Sequence, residues 1–166
     1  MSTIRMAGVV RESIVDGPGF RFVVFVQGCP HHCEGCHNPQ SHDFKGGYLC
    51  DTDALLAEIK KNPLLRGVTF SGGEPFCQPG PLSELGAEIK KLGLNVIAYS
   101  GYTYEQLVSM KNPDVDSLLD VCDYLIDGKF LQEERNLLLH FRGSSNQRIV
   151  DLVRTREQGT VVTAEL

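Results

Sequence analysis

The chain has 166 residues, 42% apolar and 22% charged, with a formal net charge of −5. That length and composition suit one domain, expected to run over residues 1–166, with a single sizeable core. No Lys/Arg cluster marks the basic face of a nucleic-acid binder, and no apolar run approaches the ~20 residues of a membrane span. Residues 1–11 also lack the long apolar stretch of a secretory signal, so a cytoplasmic location is the expectation.

Taken in chain order, β-like runs alternate with longer helical stretches. Arg21–Val26 (RFVVFV) is β-branched and aromatic and ends at Gly28. Residues 51–61 read as a helix with Leu55, Leu56 and Ile59 on one face and Asp51 or Thr52 as cap. Residues 67–70 form a short strand stopped by Ser71-Gly72-Gly73. Residues 81–92 place Leu82, Leu85, Ile89 and Leu92 at helical steps. A strand over Asn95–Tyr99 ends at Ser100-Gly101. Two short helices over 104–110 and 115–119 follow, then a strand over 123–126 ended by Asp127-Gly128-Lys129. Such alternation predicts right-handed βαβ units and a parallel sheet. A complete eight-unit barrel needs ~250 residues. Four to six βα units, forming a partial barrel open along one side, are therefore expected, with ligands at the C-terminal strand ends.

Six cysteines lie at positions 29, 33, 36, 50, 77 and 122. Cys50, Cys77 and Cys122 are scattered and read as small buried side chains. The other three crowd into CPHHCEGC at residues 29–36, directly after a strand. Thiolates are the protein ligands of a four-iron cubane, and three on one tight loop would leave one iron open. On spacing alone a Cys₃His zinc site using His31, His32 or His37 stays open as an alternative. The absence of a second ligand pair weighs against it. The next strand ends in TFSGGEP at residues 69–75. There two glycines permit close backbone approach, and Glu74 offers a carboxylate for an ammonium group.

A CxxxCxxC loop after one strand and Ser-Gly-Gly-Glu after the next resemble the radical S-adenosylmethionine superfamily. VDGPGFR at residues 15–21 and FVQGC at 25–29 narrow the resemblance to activating enzymes of glycyl-radical proteins. DGKF at 127–130 and RGSSNQ at 142–147 narrow it to the activases of anaerobic ribonucleoside-triphosphate reductase. The pyruvate formate-lyase type of activase is the alternative within the superfamily.

The resemblance implies a [4Fe–4S] cluster on Cys29, Cys33 and Cys36, with S-adenosylmethionine on the open iron. One electron, supplied by a low-potential donor such as a flavodoxin, would cleave the sulfonium to methionine and a 5′-deoxyadenosyl radical. That radical would take hydrogen from a glycine in a loop of the large reductase subunit. Gly73 and Glu74 would hold the amino group, and Gly35 and His37 would lie against adenine. Gly35 stands where many relatives carry an aromatic residue. Asp127 and Lys129 match positions that touch the cofactor, and Asp16 and Arg21 would border the opening for the substrate loop.

Overall fold

The computed structural model describes residues 2–36 and 38–166. Its strands are β1 (Thr3–Ser13), β2 (Arg21–Val26), β3 (Tyr48–Asp51), β4 (Gly67–Gly72), β5 (Asn95–Tyr99), β6 (Tyr124–Asp127) and β7 (Arg148–Asp151). Its α-helices are α1 (Thr52–Lys60), α2 (Pro79–Lys91), α3 (Tyr104–Ser109), α4 (Pro113–Val121) and α5 (Leu152–Gln158). The seven strands make one sheet in the order β3-β1-β2-β4-β5-β6-β7.

The middle of the sheet is parallel from β2 through β4 and β5 to β6, as the alternating pattern predicts. Its ends are antiparallel: β1 pairs with both β2 and β3, and β7 pairs with β6. The sheet is therefore mixed, which corrects the all-parallel expectation. The sequence signal was weak at these ends. β1 mixes charges with apolar residues and carries two register shifts against β2, and β3 and β7 have four residues each.

Helix ends follow local chemistry. The Asp51 side chain accepts from the Asp53 amide at the start of α1, Thr103 and Gln106 form a reciprocal capping box on α3, and Asn112 caps α4 ahead of Pro113. Among the described residues no helix is long and apolar enough to cross a membrane.

Strand alternation sorts the side chains onto two faces. Phe22, Val24, Val26, Val68, Phe70, Val96, Ala98 and Leu125 join the helix residues Leu55, Ile59, Leu82, Leu85, Ile89, Val115 and Leu118 in one buried cluster. The helices approach closely there: a Cβ on Gly86 of α2 would meet the Val121 side chain at 2.6 Å. The intervening residues form the other face. Ile97, Ile126 and Ile149 make a smaller cluster on it, joined by Tyr99, Phe141, Ala164 and Leu166. That second face carries Arg21, which is fully buried. Its guanidinium donates to Thr69 Oγ1 at 2.8 Å, the Val68 carbonyl at 3.0 Å and the Pro18 carbonyl at 3.2 Å. Burial lowers its pKa to about 10. Arg21 thus ties β2, β4 and the 14–19 turn together and does not border an opening, which corrects its expected place.

Candidate functional site

Two residues past the end of β2, Gly28 has a φ of 104° and turns the chain out of the sheet. The Gly28 amide then donates to the Ser41 carbonyl at 2.7 Å and the Cys29 amide to the His42 carbonyl at 3.1 Å. These two bonds join the start of the cysteine motif to residues 41 and 42 at the C-terminal end of β2. A cleft of about 450 Å³ opens beside it, and Cys29, Cys33 and Cys36 all lie in its wall. That volume is ordinary for a small-molecule site.

Burial pushes the Cys29 and Cys33 thiols up from the ordinary range, so both are neutral as free thiols at pH 7. Metal ligation has to displace those protons. The three thiols share that wall. Three thiolates on one short loop are the donor chemistry of a cubane, which takes each of them at a different corner. His31 and His32, the described histidines of the zinc alternative, are engaged elsewhere: His31 on Glu74 and His32 edge-on to His42 at 5.1 Å between ring centroids. Four buried side-chain polar atoms among the described residues have no hydrogen-bond partner. Two of them, His42 Nε2 and Arg142 Nε, belong to residues of this same cleft wall.

The Gly-Gly-Glu turn joins the cysteine loop directly. The Gly73 amide donates to the Val26 carbonyl and the Glu74 amide to the Gly28 carbonyl, both at 2.8 Å. A Cβ on Gly73 would fall 2.4 Å from the Gly28 carbonyl oxygen, so only glycine permits that approach. Gly73 lines the cleft. The Glu74 side chain does not: it is fully buried. Its carboxylate meets His31 Nε2 at 2.6 Å, Ser100 Oγ at 2.9 and 3.0 Å, the Gly101 amide at 2.8 Å and the Phe76 amide at 3.1 Å. Glu74 is accordingly a tie between the cysteine loop and the ends of β4 and β5. The expected placement of its carboxylate toward a ligand's ammonium group is corrected, because these donors already hold it.

Asp127 also departs from expectation. The strand reaches one residue further than predicted, so Asp127 shares the parity of Leu125 and faces the helices. Its carboxylate caps α3 through the Tyr104 amide at 2.8 Å and receives Arg148 Nε at 3.0 Å. Lys129 is exposed and lines a second cavity of about 380 Å³ with Glu34; His31, Cys33 and Phe130 line both cavities. Gly35 lies in the wall of neither cavity; a Cβ there would meet the Gln132 side chain at 3.0 Å. His37 lies outside the described residues. Asp16 lines the cysteine cleft, its carboxylate accepting from Ser13 Oγ at 2.6 Å and its carbonyl from Thr69 Oγ1 at 2.8 Å.

Several residues of the site carried no sequence signal for their part in it. His31 packs against Gly101 so closely that a Cβ there would sit 2.4 Å from its ring, and it meets Tyr102 edge-on at 4.5 Å. Tyr99 donates to the Phe141 carbonyl at 2.6 Å and so draws the 139–147 segment across the face of the sheet. Burial pushes the Tyr99 phenol well above its usual range, so it remains a donor. Only the Ser100-Gly101 strand end and the position of His31 between two cysteines hinted at these contacts.

The family model of a 4Fe-4S single cluster domain matches residues 15–150. The anaerobic ribonucleoside-triphosphate reductase-activating protein of Vibrio cholerae is 33% identical over 82% of this chain and 90% of its own length. The protein of the same name from Pasteurella multocida is 35% identical over the same shares. Among solved structures, QueE from Escherichia coli aligns with a TM-score of 0.48 at 18% identity, over 61% of this chain and 54% of that one.

Proposed function

The chain belongs to the family of anaerobic ribonucleoside-triphosphate reductase-activating proteins, and from that premise we propose that it generates a glycyl radical on the large subunit of such a reductase. The protein is a 4Fe–4S enzyme of the radical S-adenosylmethionine class. When bound, the cluster supplies the electron that cleaves S-adenosylmethionine reductively.

The single observation that carries the reading is that Cys29, Cys33 and Cys36 all line one cleft at the C-terminal ends of parallel strands. They are the ligands in this reading, leaving one iron for the methionine end of S-adenosylmethionine. Gly73 lines the same cleft and keeps its turn against Gly28 only because it has no side chain. Glu74 acts at one remove: by gripping His31, Ser100 and Gly101 it fixes the cysteine loop over the ends of β4 and β5. Lys129 stands beside Cys33 at the second cavity, and Gly35 and His37 precede and follow Cys36 in the sequence. Asp16 meets the incoming glycine loop, and the open side of a partial βα barrel admits it. A low-potential one-electron donor such as a flavodoxin completes the set, in the reducing cytoplasm where the six cysteines stay free.

The test is anaerobic reconstitution of the full chain with iron and sulfide, followed by dithionite and S-adenosylmethionine. Release of 5′-deoxyadenosine and a glycyl doublet in electron paramagnetic resonance on the reductase subunit are expected. Cleavage with no doublet on that subunit, but one on a pyruvate formate-lyase, would reassign the substrate. A colourless protein that retains zinc and no iron would overturn the reading.

A further inference from the structure

Single exposed apolar side chains are ordinary on a protein surface and need no explanation. Here the most exposed ones are not scattered. Among the described residues the four most exposed large apolar side chains are Leu138 at 89%, Leu137 at 78%, Val15 at 70% and Ile14 at 68%. They form two adjacent pairs, and each pair adjoins the cysteine cleft. Val15 lines the cleft from the turn after β1, and Leu139 and Phe141 line it from the segment after β6. Consecutive Cα atoms are about 3.8 Å apart, so Ile14, Leu137 and Leu138 stand one or two residues from the cleft wall.

The backbone around the leucines is fixed. Arg135 and Ser144 are bridged, the Asn136 amide donates to the Gly143 carbonyl at 3.2 Å, and the Leu138 amide donates to Asn136 Oδ1 at 2.9 Å. Residues 136–143 are therefore a closed loop. Phe141, at a φ of 63°, is its anchor. It packs against Ile97, Ile126 and Ile149, and its carbonyl receives the Tyr99 hydroxyl at 2.6 Å. Phe141 takes the place in that cluster, while Leu137 and Leu138 stay in solvent. The 14–19 turn reaches the same face of the sheet, since a Cβ on Gly17 would meet the Ile97 side chain at 2.9 Å. Both apolar pairs thus stand at the mouth of one cleft, and apolar area in water gains when a partner covers it.

The reaction says which partner arrives there. A glycine carried by another protein has to reach the cleft, so the folded surface around that glycine comes to the cleft mouth. We propose that Ile14–Val15 and Leu137–Leu138 are the two apolar contacts that seat the folded large subunit of the reductase, by burial against apolar side chains beside its glycine loop. The inference rests on the proposed function for the identity of the partner. The contacts supply affinity for the subunit and take no part in cleaving S-adenosylmethionine.

The experiment uses cluster-loaded full-length protein with the double substitution Leu137→Ser and Leu138→Ser, and separately with Ile14→Ser. KM and kcat for the reductase subunit are read from the glycyl doublet, 5′-deoxyadenosine release without the subunit from chromatography, and self-association from sedimentation velocity. The double variant is expected to raise KM ~10- to 100-fold with kcat and uncoupled cleavage unchanged. Ile14→Ser should raise KM in the same sense. Replacing both leucines by Met, which keeps apolar area, should restore the original KM. Leu138→Ser alone serves should the double variant fail to fold. An unchanged KM overturns the proposal. So does a loss confined to kcat, which would make the leucines positioners of the glycine. Altered self-association with KM unchanged assigns the patch to a second copy of this chain and overturns it too. An unmodified protein that releases 5′-deoxyadenosine but puts no doublet on the subunit would overturn the proposed function itself.

Discussion

The two faces of the sheet are built from alternate residues of the same strands and do opposite work. On β4, Val68 and Phe70 enter the helix-covered cluster, while Thr69 and Ser71 face the side that holds the cleft. The helix side is apolar except at Asp127, which α3 and Arg148 hold, and it is covered by α1, α2 and α4. The other side carries a buried arginine, a phenol held as a donor, and loops whose polar groups are mostly paired with one another. The difference teaches that stability and chemistry are separated here by strand parity and not by domain. A substitution should therefore change one property and largely spare the other.

The sharpest break of that comparison sets Cys33→Ala against Phe70→Ala. Cys33→Ala is expected to abolish iron retention and 5′-deoxyadenosine release while the thermal melt of the apo-protein stays put. Phe70→Ala should cost about 3–5 kcal/mol of stability through the cavity it leaves, read as a lower urea midpoint, with cluster content per folded molecule unchanged. If Cys33→Ala unfolded the apo-protein, the two faces would not be separable.

A second comparison lies within the cleft, between its cysteine wall and the 14–19 turn. Asp16→Ala is expected to leave S-adenosylmethionine cleavage intact under a strong reductant and to lower the glycyl signal by roughly 100-fold, since a misplacement of about 1 Å at the hydrogen donor is that costly. Chromatography of 5′-deoxyadenosine alongside the doublet reads both quantities from one sample. Equal loss of both would place Asp16 with the cofactor.

Glu74 tests where the faces meet. Its replacement by Ala strands His31, Ser100 Oγ and the Gly101 amide, so a stability loss of about 1–3 kcal/mol is expected together with poorer cluster retention. Denaturant titration and iron analysis give the two numbers. A variant with wild-type stability and iron but weak S-adenosylmethionine binding would return the carboxylate to the ligand.

The cysteine loop, the Gly-Gly-Glu turn and their place at the ends of strands were legible in the sequence. Both signals are local: three thiols must sit within a few residues to share one face, and a parallel strand must end in a tight turn. The parallel strands and all the helices except α5 could be read from periodicity for the same reason. What the tertiary structure alone decided was the commitment of each charged side chain. Glu74, Asp127 and Arg21 looked available because a sequence shows a charge but not its partners. Folding gave Glu74 to His31 and Ser100, Asp127 to α3 and Arg148, and Arg21 to Thr69 and neighbouring carbonyls. Those partners lie up to 48 residues away, and a buried charge must find donors or acceptors wherever the packing brings them.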